Sequence, residues 1–275
     1  MPKVSRSSIK KTAEVAKSLK ARPARGNGGK KKDVESTQAV LSPPTPQMFV
    51  AKLGENFKAH RNQTAAQKMK KYMRDQFAFF GLMSPIRREA SKEVLSSCSG
   101  FNQAQLHQLL KLLWKEPERE YQMFGLDCSQ KYIKVLCGHS ADDSLKSLMV
   151  VKELITTKSW WDTVDMLAAN VVGELVAAHR TSLTPVMEEW VQDENLWLRR
   201  TAILHQLNYK KKTNQELLFQ YCLMCADDED FFIRKAIGWA LRNHFRTNAA
   251  AVKTFVKSNK DKLSPLSQKA ALKHA

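Results

Sequence analysis

The stretch Lys158-Ser159-Trp160-Trp161-Asp162-Thr163-Val164-Asp165 carries the residue types best suited to chemistry in this 275-residue sequence. On a helix, Asp165 lies four residues after Trp161, so an indole and a carboxylate share one face, a turn apart. Such a pair suits a reaction that develops positive charge on a sugar. The anion stabilises an oxocarbenium-like transition state and holds a water for attack, while the ring contacts the sugar and keeps bulk water out. Core tryptophans beside a solvated aspartate give the same spacing more often, so spacing leaves both readings open. Asp162, three residues after Ser159, fits a capping box and has a structural role at the helix start.

Arg200 is the second candidate. It follows Leu196 by four residues and precedes Ile203 and Leu204 by three and four, so it lies along an apolar stripe. There it either packs its stem and snorkels outward or projects toward a phosphate. Arg199 is the neighbour expected to face solvent. Trp239, two turns after Phe232, and Tyr72, ahead of Phe77, Phe79 and Phe80, are aromatics of a kind that serves cores more often than ligands. Glycine-rich phosphate loops, GxSxG and HExxH motifs are lacking, and the seven histidines have no metal-ligand spacing. Cys222 and Cys225 form a CxxC without a second ligand pair, inside a helical pattern, and read as two small apolar helix residues. The odd cysteine count of five points to a reducing compartment.

Helices are expected to carry these residues. From Gln47 onward the pattern is helical, without alternating β-branched runs. Four helix starts look alike, around Arg119, Ser159, Arg199 and Arg234, spaced 40, 40 and 35 residues apart. That is the period of a HEAT-like repeat. Each repeat buries its apolar stripe only by stacking on the next, so the expected fold is all-α, a curved α-α superhelix with a basic concave face.

Charge supports that face. Lys and Arg outnumber Asp and Glu 45 to 27, a net +18, which favours a polyanionic partner. Residues 1–45 hold +8 of this with no apolar period and are expected to be a disordered basic tail, leaving +10 on the repeat domain, residues 46–275. Pro43, Pro44 and Pro46 mark the boundary. The tail's composition suits an organellar transit peptide, a nuclear signal or a solvated linker, so the nucleus, a DNA-containing organelle or a bacterial nucleoid are all open. No segment is long and apolar enough to span a bilayer.

Residues 72–81, 84–88, 113–120, 157–165, 195–209 and 231–242 resemble, in order and at matching spacing, the AlkD-like DNA alkylation repair glycosylases, over about residues 47–274. The resemblance implies a superhelix whose concave face holds duplex DNA, and hydrolytic excision of positively charged N3- and N7-alkylated purines while the lesion stays largely stacked. It puts Asp165 on the catalytic aspartate, Trp161 and Trp239 on the tryptophans flanking the lesion sugar, Arg200 on the catalytic-site arginine and Tyr72 on a DNA-contacting aromatic. Arg199, Lys235 and Trp160 are further expected DNA contacts. Neither a metal nor an organic cofactor is implied, and the partner is double-stranded DNA containing alkylated purines, bound by a monomer. The basic tail is absent from compact bacterial members, and the chain ends at Ala275, earlier than some relatives. The alternative from another class is a non-catalytic HEAT-like scaffold binding DNA or a protein, with an RNA-binding repeat protein as a third.

Overall fold

The computed structural model describes residues 45–273. The expectation of a disordered tail therefore falls, Thr45 apart, outside the described residues. In chain order the helices are α1 (Pro46–Ala59), α2 (Gln63–Tyr72), α3 (Ser84–Ser97), α4 (Gln103–Lys115) and α5 (Arg119–Lys131). A short α6 (Ile133–Cys137) leads to α7 (Ala141–Thr156), α8 (Trp161–Leu167), α9 (Gly173–Ala178) and α10 (Arg180–Trp190). The chain continues through α11 (Leu196–Leu204), α12 (Gln215–Met224), α13 (Phe231–Phe245), α14 (Ala249–Ser258) and α15 (Pro265–Ala271). The one β-pairing among the described residues is a lone bridge between Ala78 and Glu118. The fold is an all-α helical repeat.

Side chains set these boundaries. Asn62, Asn102, Ser140, Asn195, Asn214, Asp230, Asn248 and Ser264 each accept a hydrogen bond from a first-turn amide of the helix that follows. Each such cap is worth about 1 kcal/mol. Apolar spacing then fixes the buried faces: Leu106, Leu109, Leu110 and Leu113 recur at the i, i+3, i+4, i+7 spacing on α4 and are all buried. Each fully buried leucine contributes roughly 2 kcal/mol.

The helices stack in two rows. Helix α4 packs on α7 and α7 on α10, while α5 packs on α8, α8 on α11 and α11 on α13. The second row opens at Arg119, Trp161, Leu196 and Phe231, so the four similar starts in the sequence mark the successive helices of one row. Between α8 and α9 the helix passes through one π turn, Ala168–Val172. A π turn leaves carbonyls short of partners. The following repeat supplies them: Asn208 Nδ2 donates to the Ala169 carbonyl (3.0 Å) and the Tyr209 hydroxyl to that of Gly173 (2.6 Å). Gly173 permits this approach, since a Cβ there would stand 2.4 Å from the His205 carbonyl oxygen.

Of the CxxC pair, expected inside a helix, Cys222 lies within α12 and Cys225 at its C-terminal cap, one residue beyond the last helical one. Cys222 and Cys225 are free, buried thiols, and burial pushes both above the usual thiol range, Cys225 to about 11.

Candidate active site

Helix α8 carries two aspartates three residues apart, and each faces an arginine from a different neighbouring helix. Asp162 receives hydrogen bonds from Arg119 of α5, Nε at 3.0 Å and Nη2 at 2.6 Å. Arg119 is wholly buried and also donates to the Lys158 carbonyl (2.9 Å) and the Thr163 hydroxyl (2.9 Å). A buried guanidinium needs a counter-charge and full hydrogen bonding, and Asp162 supplies both. The capping-box expectation is thereby corrected. The helix starts one residue later than a Ser159 cap requires, with Trp160 at the cap position and no capping side chain, and Ser159 Oγ donates back to the Ile155 carbonyl (2.6 Å).

Asp165, on the next turn, is gripped from the opposite side. Arg200 of α11 donates from Nε to Oδ1 (2.7 Å) and from Nη2 to Oδ2 (2.8 Å), a bidentate pair, and its Nη1 donates to the Phe232 carbonyl. The two side chains retain 5% and 13% of their surface. Arg200 therefore neither snorkels nor reaches outward: the stripe carries its stem inward and the guanidinium ends on Asp165. Burial pushes the Asp165 carboxyl above the usual carboxylate range, and nearby Asp162 adds to this, while Arg200 pulls the other way. Two oxygens offer about four lone-pair sites, so a carboxylate held by one arginine can still accept from a water.

Arg200 also lines an open cleft of about 280 Å³ together with Trp161, Phe231, Phe232, Lys235, Trp239 and Arg242. Its walls are aromatic and its charged groups cationic. At the rim, Tyr72 stands 70% exposed with its ring edge-on to Trp161, centroids 6.0 Å apart. The cleft thus joins an apolar platform, the Arg200 guanidinium that is paired with Asp165, and two cations, Lys235 and Arg242, that form no salt bridge among the described residues.

The first turn of α5 holds the segment that presents Tyr72. After α2 the chain turns through Arg74 and Asp75, both at positive φ, and then Gly81 at φ 89°, where a Cβ would stand 2.0 Å from the Asn62 carbonyl oxygen. The buried Glu120 carboxylate accepts from the amides of Phe80 (3.1 Å), Gly81 (2.8 Å) and Leu82 (3.1 Å). The Arg119 amide donates to the Ala78 carbonyl (2.9 Å), and the Arg119 guanidinium lies 3.8 Å from the centre of the Phe77 ring. Arg119 thus ties both the Tyr72 segment and α8 to one point.

Of the residues singled out from sequence, Asp165, Arg200, Trp161, Trp239, Lys235 and Tyr72 converge here. Trp160 and Arg199 do not. Trp160 packs behind the cleft on Trp197 and Phe232, with ring centroids 6.0 and 5.3 Å away. Arg199 pairs with Asp228 (2.8 Å) and donates to the carbonyls of Asp193 and Glu194 (2.8 Å each), tying together the loops that precede α11 and α13. Sequence reasoning missed Phe231, 55% exposed on the cleft with Lys235 above its ring at 5.5 Å. The signal was available: consecutive aromatics at a helix start cannot both face the core. Among the described residues no group of three His, Cys, Asp or Glu side chains is placed to hold a metal ion, and no helix is long and apolar enough to cross a membrane.

A family described as DNA alkylation repair enzyme matches residues 53–275. A solved structure described as "Predicted DNA alkylation repair enzyme from Enterococcus faecalis" is similar at 34% identity and a TM-score of 0.70, over 78% of this chain and 96% of that one. No curated protein matches the chain.

Proposed function

The chain belongs to the family of DNA alkylation repair enzymes, and from that premise we propose that it is a glycosylase hydrolysing the N-glycosidic bond of positively charged N3- and N7-alkylated purines in duplex DNA. The observation that carries this reading is the buried Asp165–Arg200 pair beside a cleft walled by Trp161, Phe231 and Trp239. A cationic alkylpurine is already a good leaving group, so the site has no need of a general acid for the base. The bonding pair departs with the purine, whose positive charge it cancels, and cationic character appears on the sugar. Asp165 is the nearby anion, fixed by two hydrogen bonds that require no reorganisation as that charge develops. Water adds to the sugar carbon and loses its proton to Asp165 or to solvent, giving the free alkylpurine and an abasic sugar. The aromatic walls contact the sugar and limit bulk water.

In the same reading Tyr72, Lys235 and Arg242 contact the DNA around the lesion, Arg199 and Trp160 support the cleft from behind, and the protein acts as a monomer on double-stranded DNA. Residues 1–45, with their net +8, add binding without selectivity for sequence or lesion. Incubating the purified protein with methylated duplex DNA tests the proposal: 7-methylguanine and 3-methyladenine should appear as free bases. Tight binding to that DNA with no free base would favour the scaffold alternative.

A further inference from the structure

Beyond the cleft beside Asp165, α13 lines a second and larger one. Lys235, Trp239 and Arg242 face the first cleft, and one turn on, Asn243 and Arg246 line the second, of about 960 Å³. Its other walls come from the loop after α11 and the junction of α9 and α10. Five cations line it, Arg180, Lys210, Lys211, Lys212 and Arg246, against the single carboxylate of Glu174. None of the five forms a salt bridge among the described residues, so their charge is uncompensated there.

The arrangement is built. The Arg180 guanidinium lies 4.6 Å from the centre of the Tyr209 ring and donates to the Lys212 carbonyl (2.9 Å). Tyr209 is fixed in turn by its bond to the Gly173 carbonyl (2.6 Å). Lys210 sits at φ 53° and begins the 3-10 turn Lys210–Lys212, which presents three exposed lysines in succession. Holding like charges together is unfavourable without an anion nearby, and a non-glycine residue at positive φ adds local strain.

We propose that this cleft is a second DNA-binding site, which takes the phosphate backbone of the duplex flanking the lesion. The proposal rests on the DNA-repair reading of the first cleft and extends it. Lys235 to Arg246, the cap residue of α13, covers eleven residues of helical rise, about 16 Å, a length comparable to about five base-pair steps of a duplex, so one duplex can reach both clefts. The contacts are ionic, and the site reads neither base sequence nor lesion.

The test is the salt dependence of binding to an unmodified duplex of about 20 base pairs. Wild type is compared with the triple variant Lys210→Gln/Lys211→Gln/Lys212→Gln and with the single variant Arg246→Gln, all at exposed positions. Each lost phosphate contact reduces the slope of log K against log salt by about 0.9, so the triple variant should lose about 2 to 3 and Arg246→Gln about 1. The losses should be equal on methylated and unmethylated duplexes. Unchanged slopes in both variants would overturn the proposal, as would losses seen with structured RNA and not with DNA. Wild-type base release from methylated DNA, run in parallel, separates this proposal from its premise. Shallower slopes without any base release would keep the second site and remove the glycosylase reading, whereas base release with unchanged slopes would do the reverse.

Discussion

Replacing Arg200 by alanine removes both hydrogen bonds to Asp165, at 2.7 and 2.8 Å, and leaves the carboxylate in its buried position. Burial already pushes this carboxyl upward and Arg200 is what opposes it, so the acid should become weaker still in the variant. The sign of the kinetic effect follows. In the proposed mechanism Asp165 acts as an anion, so excision should fall as pH drops through its pKa, and a higher pKa should move that acidic limb to higher pH. Hydrogen bonds to charged groups contribute about 1.5 to 3 kcal/mol each. Losing two of them, one of which water can partly replace, should slow excision at neutral pH by about a hundred- to a thousandfold. The assay is single-turnover release of 7-methylguanine at saturating enzyme from pH 5 to 9, with circular dichroism to establish that the variant is folded. An acidic limb that coincided with wild type, or lay below it, would refute the claim that Arg200 holds this carboxylate ionised.

Asp162→Asn should act on stability, because it leaves the wholly buried Arg119 without a counter-charge; about 3 to 5 kcal/mol should be lost in urea unfolding. Recovery of most of that stability in Arg119→Met/Asp162→Leu, where both charges are gone, would support the assignment, and a loss below about 1 kcal/mol in the single variant would contradict it. His205 is buried, its Nδ1 2.7 Å from the Ala202 carbonyl, and burial holds its pKa down at about 4. The unfolded chain takes up that proton near pH 6.5 and the folded one does not, so stability from this group is complete above about pH 6.5 and falls as pH drops toward 4. His205→Gln should flatten that part of the urea midpoint against pH, and an identical slope in the variant would show that other groups cause it.

The row of helices was legible in sequence because its starts repeat a local signal. Asn195 and Asp230 cap α11 and α13, and an aromatic residue follows within two positions of each. Trp161 and Asp165 were legible for the same reason, since a four-residue spacing fixes a shared face whatever surrounds it. What the spacing did not contain was the partner. Arg119 lies 43 residues before Asp162 and Arg200 lies 35 after Asp165, so the stacking of repeats decides which aspartate is the internal clamp and which borders the cleft. A capping box was the local explanation for Asp162, and a long-range ion pair displaced it. Arg199 and Arg200 are adjacent and chemically alike, yet one ties loops together and the other grips Asp165, a difference set by which carboxylate of a neighbouring segment each side chain meets. The π turn after α8 left no mark in the apolar period, because Asn208 and Tyr209 of the next repeat stabilise it.

In the proposed mechanism an anion at Asp165 stabilises the sugar cation that forms as the alkylpurine departs. Asp165→Asn keeps the shape of the side chain and removes the charge. Single-turnover release of 3-methyladenine and 7-methylguanine by this variant, measured with its affinity for unmodified duplex, tests the claim directly. Excision should be slower by at least about a hundred- to a thousandfold, with DNA affinity within a few-fold of wild type. Excision by Asp165→Asn at the wild-type rate would contradict it.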